Sequence, residues 1–195
     1  MRIYRFLLGA LLLSLFVATR GESAESASDS SFNPENVLLS HFSLPRPGPW
    51  HWVSTTTKEG HILLEVIFAA GDAQNENSRV SIYFNHIKPD ADIGTPGATA
   101  KRWKSWFEKA QMTMPLSKPK PMGTNKVCFV EMTGTFKGPG VSGKAPYLRP
   151  DFTLFGAHIE DAEGNILVRM VGPTKLVEKN KAAFNKMIKQ TLEAK

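Results

Sequence analysis

Residues 138–145 read Gly-Pro-Gly-Val-Ser-Gly-Lys-Ala, one side chain away from the phosphate-cradling pattern GxxxxGK[ST]. In that pattern glycines let backbone N–H groups wrap a phosphate, lysine reaches the outer phosphates and a hydroxyl binds Mg²⁺. Here Ala145 stands at the hydroxyl position. Pro146 and Pro150 forbid the helix whose N-terminus would complete the cradle. Nucleotide binding is therefore not expected. The five histidines, His41, His51, His61, His86 and His158, make no HxH or HExxH spacing, so no metal site and no metallohydrolase is read from them. His86 and His158 fall in predicted strands from which they could meet across a sheet. No GxSxG elbow occurs. The single cysteine, Cys128, lies in a predicted strand with no cue for a lowered pKa and reads as a small buried hydrophobe. Glu131 interrupts an apolar strand and reads as a solvent-facing position. No catalytic, cofactor or metal residue emerges, and the chain is not expected to be an enzyme.

Two other groups of residues suggest binding. Between Lys101 and Lys126 there are seven basic side chains against Glu108 alone. Lys101, Arg102, Lys104 and Lys109 head this stretch as a candidate contact surface for an acidic partner, with the Gly138–Pro150 loop as a second candidate. Trp50, Trp52 and Trp106 are the candidate lining of a cleft between sheet and helix, where a small apolar or metal ligand could be carried.

The elements that position these residues follow from periodicity. Asp151–Glu160 places Phe152, Leu154 and Gly156 on one side and Phe155, Ala157 and Ile159 on the other, as in a central strand covered on both faces. A turn at 161–165, with Gly164 or Asn165 at positive φ, returns the chain as Ile166–Val171, an antiparallel neighbour. Gly172-Pro173 then opens a helix with Leu176, Val177, Asn180, Ala183, Phe184, Met187, Ile188 and Leu192 along one stripe. Upstream, Trp50–Thr56, His61–Ala70, Arg79–Ile87 and Thr124–Phe136 read as strands. Thr95 and Pro96 start a helix as cap and first residue, with Ala100, Trp103, Trp106, Phe107 and Ala110 as its apolar stripe. Val37–Pro49 reads as a stiff extended entry and Met112–Met122 as an ordered loop. The order β-β-β-α-β-β-β-α predicts an α+β domain, an antiparallel sheet of about six strands with helices packed on it.

The chain has 195 residues and a formal net charge of +6, enough for one domain. Arg2 and Arg5 precede the apolar run Phe6–Ala18 and a polar stretch, the three regions of a secretory signal peptide. Thirteen residues fall short of the roughly 20 that span a bilayer; an uncleaved anchor is the competing reading. Residues 1–21 are thus expected to be removed, with cleavage between 21 and 27. Residues 22–36, Ser/Ala-rich and acidic, read as a flexible linker, and 37–195 as a single domain. Removal takes three of the 24 basic side chains and leaves 21 against 18 acidic, a net charge of +3, which gives no support for nucleic-acid binding. With one cysteine no internal disulfide forms, which suits a bacterial periplasmic or secreted protein. No membrane span is expected after cleavage.

The segment Phe152–Ile188 resembles the ending of a group of exported bacterial proteins of unassigned function. Its firmest matches are Gly156-Ala157, Gly172-Pro173 and Phe184. Arg102-Trp103 followed by Trp106-Phe107 is similar to that group's mid-chain helix, and Met132-Thr-Gly-Thr-Phe-Lys137 to its fourth strand; Arg169 stands where the group tends to have lysine. The resemblance spans roughly Trp50 to Leu192 and is similar to the PsbP-like α/β/α sandwich, a fold shared with a Ran-binding nuclear import factor. It implies an accessory or binding protein with an unidentified protein partner or small ligand, and transfers no functional residue.

Overall fold

The structure is a computed structural model. It describes residues 35–47, 50–56, 62–72, 75–88, 91, 94–138 and 147–193. The expected signal peptide, nearly all of the linker, His61 and residues 139–146 of the phosphate-loop decoy lie outside the described residues. The described residues belong to one compact unit.

Among the described residues ten strands and two α-helices follow in order. A hairpin, β1 (Asn36–Leu39) and β2 (Phe42–Pro45), precedes β3 (His51–Thr56), β4 (Ile62–Gly71) and β5 (Arg79–Ile87). Helix α1 (Pro96–Lys104) leads to β6 (Phe107–Met114), β7 (Lys120–Met122) and β8 (Asn125–Phe136), then β9 (Arg149–Glu160), β10 (Asn165–Pro173) and α2 (Thr174–Glu193). The main sheet has eight strands in the order β3-β4-β5-β10-β9-β8-β6, with β7 also on β8. Its pairings are antiparallel. The α+β class is as expected; the strand number is eight rather than six, because β6 and β7 come from residues assigned to a helix and a loop.

That difference has a local cause. The α1 helix is capped as expected, Thr95 Oγ1 accepting from the Ala98 N–H at 3.2 Å with Pro96 behind it. It ends at Lys104, where the Ser105 hydroxyl donates back to the Arg102 carbonyl at 2.6 Å. Phe107 and Ala110 continue the helical spacing of α1, but Ala110, Met112 and Met114 also alternate with polar residues. Pairing along β8 favours that second period, and Lys109 absorbs the bulge at φ 50°. Pro121 is tolerated in β7 because an edge strand needs no N–H from it. The entry at Val37–Pro49 is likewise a hairpin rather than a stiff extension, since Leu39, Phe42 and Leu44 are fully buried.

The period-2 pattern of β9 splits the core into two layers. Phe155, Ala157 and Ile159 join one cluster with Phe84, Val168, Val177 and Phe184; the β1–β2 hairpin and α2 cover this face. Phe152 and Leu154 join the other with Leu167, Met132 and Trp103, where α1 packs on β6, β8 and β9. The two helices therefore lie on opposite faces of the sheet. The turn between β9 and β10 takes its positive φ at Gly164, 128°, where a side chain would strike the Ile87 carbonyl. Strand β10 runs through Pro173, so α2 starts one residue later than expected. Both sheet edges are bulged, β3 around Val53 and β6 around Lys109, which discourages addition of a further strand.

Candidate functional site

The side chains with chemistry in them are mostly engaged in the fold. Glu131 does not face solvent, correcting the sequence reading: it is buried beneath α2. Lys181 Nζ pairs with its Oε2 at 2.6 Å, and the Thr113 hydroxyl donates to its Oε1 at 2.8 Å. Lys181 also holds Glu178 at 2.6 Å and lies over the Phe155 ring. Burial alone would depress the lysine pKa, but hydrogen bonds to Glu131 and Glu178 outweigh it and leave it raised. The pair ties α2 to the sheet. Replacing Lys181 by Met should strand the carboxylate and cost about 2 kcal/mol of unfolding free energy in urea titration. Glu131→Gln, which keeps a polar group for Thr113, should cost less; equal losses would show that the charge pair is not what matters.

His86 and His158 do not meet. They flank β10 on opposite faces, in register with Ile166 and Leu167. His86 Nε2 lies 3.3 Å from the Glu163 carbonyl. His158 is 1% exposed, with Nδ1 3.2 Å from Thr99 Oγ1 of α1 and Nε2 buried without a hydrogen-bond partner. Desolvation, reinforced by the nearby Arg102 charge, lowers its pKa to about 4. Cys128 sits opposite it in the register, and burial and Glu160 push the thiol pKa up, away from nucleophilic character. His41 pairs with Asp161 at 3.5 Å and Glu163 at 3.1 Å, at a depression of about 480 Å³ that also includes Thr124. Among the described residues no three His, Cys, Asp or Glu side chains are disposed to hold a metal ion.

The three tryptophans of the candidate cleft do not share one. Trp50 is fully buried and Trp52 packs edge-on to Phe68, both in the layer under α2 and the hairpin. Trp106 is half-buried on the opposite face, where the Arg169 guanidinium lies 5.2 Å from its ring and 4.5 Å from that of Tyr83. Arg169 Nη1 donates to Asn85 Oδ1. A separate groove of about 540 Å³ runs between the hairpin and α2, lined by Glu35, Arg46, Lys186 and Gln190 among others.

Of the candidate contact residues, Lys101 and Lys104 are exposed on α1. Arg102 is turned partly inward: its Nε is buried without a partner and desolvation lowers its pKa. Lys109 is exposed, on the bulge of β6 rather than on a helix. Just past α1 the chain meets the far end of β8, where the Lys137 N–H donates to the Trp106 carbonyl at 2.9 Å. Phe107 pairs with Phe136, and Phe136 with Arg149. The Arg149 guanidinium lies 4.9 Å from the Phe136 ring, 5.3 Å from Phe152 and 5.9 Å from Tyr147. Tyr147 and Leu148, immediately before β9, are 64% and 44% exposed. The segments that carry Lys104, Lys137, Arg149, Tyr147 and Leu148 thus come together at one end of the sheet.

No family model matches the chain, and no curated protein does. Among solved structures, a protein of unknown function from Pseudomonas aeruginosa is similar at 11% identity, with a TM-score of 0.46 over 79% of this chain and 92% of that one.

The sequence offers the Gly138–Pro150 loop as a contact candidate without distinguishing Arg149 or the adjoining Lys137. The available signal was the exposed pair Tyr147-Leu148 in an otherwise Gly/Pro-rich stretch. What could not be read is that β6, β8 and β9 bring this pair to the C-terminal end of α1.

Proposed function

We propose that this chain is an exported, non-catalytic accessory protein of the cell envelope, periplasmic or secreted, with a PsbP-like sandwich, and that it works by contact through its cationic end. The observation that carries this reading is the exposed Tyr147-Leu148 pair with Arg149 beside the Tyr147 ring, at the end of the sheet where the chain segments of Lys104 and Lys137 meet; exposed apolar groups accompanied by charge are the usual mark of a contact surface. The engagement of Glu131, His158 and Cys128 within the fold supports it further. Among the described residues no helix is long and apolar enough to cross a membrane.

The test combines export with contact. The full chain expressed in a bacterial host should appear in the envelope fraction with a mass lacking 21 to 27 residues. Charge reversal at Lys101 and Lys104 should leave thermal stability unchanged and reduce the yield of in-cell crosslinked complexes several-fold. A full-length cytoplasmic product would sink the export reading, and unchanged crosslinking would remove this surface from it.

A second reading, a carrier of a small ligand, is favoured by the groove between the hairpin and α2. Its charged lining of Glu35, Arg46 and Lys186 suits a polar molecule. Native mass spectrometry of the purified chain should then show a bound mass that Lys186→Glu removes.

A further inference from the structure

We infer that the end of the sheet carrying Tyr147 and Leu148 is a peripheral docking surface for anionic lipid headgroups. The inference rests on the binding reading above and names its partner. Three observations carry it. First, the apolar pair is exposed: Tyr147 and Leu148 stand immediately before β9 and are 64% and 44% exposed. Two exposed side chains of this kind can enter a lipid interface without a pocket to receive them. Second, the two side chains suit different depths. A phenol rests at headgroup level with its hydroxyl in water, and a leucine reaches the acyl boundary. Third, the charges complement an anionic surface. Lys101 and Lys104 are exposed on α1, Lys137 follows β8, and Arg149 lies beside the Tyr147 ring. Among the described residues of the segments 101–108, 137–138 and 147–151 the acidic side chains are Glu108 and Asp151, both exposed, against the basic Lys101, Arg102, Lys104, Lys137 and Arg149. Stacking of Arg149 on Phe136 and Phe152 gives the pair a fixed base.

Two apolar side chains make a weak anchor by themselves, so association is reversible and depends on the cations. Each lysine near an anionic leaflet strengthens binding by about fivefold. Salt at about 1 M shortens the screening length to roughly 3 Å and should release the protein.

The experiment uses the chain recovered after export. An environment-sensitive fluorophore is attached at Leu148→Cys and, separately, at Lys189→Cys. Cys128 is 1% exposed and escapes labelling. Lys189 lies on α2 about 22 Å along the axis from Thr174, and Thr174 bonds the Asp151 carbonyl near the pair; position 189 therefore reports the opposite end. The probe is a vesicle of phosphatidylcholine with or without phosphatidylglycerol. The label at 148 should shift to the blue on the anionic vesicles only, and the label at 189 should not shift. Lys101→Glu with Lys104→Glu should weaken the response tenfold or more, as should high salt. A shift indifferent to lipid charge, or equal at 148 and 189, overturns the inference. No shift on vesicles together with a shift when the envelope's soluble proteins are added overturns the lipid partner but leaves the binding reading standing. No shift with either overturns both.

Discussion

Gly156→Ala is expected to cost the domain about 3 kcal/mol, at the top of the usual range for overpacking a core. A methyl group there would sit 2.1 Å from Trp103 Cζ3 and within 3 Å of two further atoms of the same ring. Gly156 lies in mid-strand, so the reason for glycine is space rather than backbone conformation. Trp103 is 1% exposed and is the largest side chain that α1 inserts into the layer with Met132 and Leu154. It cannot yield without either leaving that layer or lifting the helix. Loss of Trp103 itself, as in Trp103→Leu, should cost a comparable amount through the cavity it leaves. Because the two residues share one volume, the double variant should be more stable than the sum of the single losses predicts. Urea unfolding of the four proteins closes the cycle. Additive losses, or a Gly156→Ala penalty below about 0.5 kcal/mol, would mean that the ring moves aside freely and that α1 is not seated on this glycine.

This contact also marks how far local pattern carries. The alternation of β9, the short turn with Gly164, the return strand and the amphipathic stripe of α2 are all local, and they emerged as read. So did the Thr95-Pro96 start of α1. The misreadings occur where two periods coexist or where the partner is distant in sequence. Between Trp106 and Met114 the apolar residues satisfy a helical and a strand spacing at once; only β8 alongside decides. Glu131 looked solvent-facing because Lys181, its counter-charge, lies on α2, 50 positions away in the chain. The hairpin at Asn36–Pro45 is too short to be stable alone and exists because the sheet and α2 offer Leu39, Phe42 and Leu44 a surface.

The candidate site divides the same way. The lysines of α1 could be found by counting charge. The inward turn of Arg102 could not, since it depends on how α1 packs on the sheet. The aromatic bed of Arg149 required Phe136 and Phe152 on two different strands. Trp50, Trp52 and Trp106 look alike as a set, yet the first two sit in the layer under α2 and the hairpin, while Trp106, in the turn between α1 and β6, sits on the opposite face.

Acid should weaken the domain through His158 by about 3 kcal/mol between pH 6.5 and pH 4. The imidazole has a pKa of 6.5 when the chain is unfolded and about 4 when folded, because burial against α1 disfavours its charged form and Arg102 adds to the cost. Within that window the unfolded chain binds the extra proton, so stability falls as the pH is lowered. The contribution is fully present above 6.5 and fully lost below 4. Carboxylates titrate in the lower part of the same range, so the comparison is with His158→Asn, which keeps a polar group near Thr99 Oγ1 without titrating. That variant should start less stable at pH 7, through lost packing, and should lose about 3 kcal/mol less than the native chain on going to pH 4. Arg102→Gln should raise the folded pKa of His158 and narrow the window. Because the Thr99–His158 contact joins α1 to β9, the acid-sensitive step should first release the helix that carries Lys101 and Lys104. The decisive readout is the imidazole titration of His158 by NMR in the folded protein: a midpoint near 4 supports this account, and one near 6.5 would sink it.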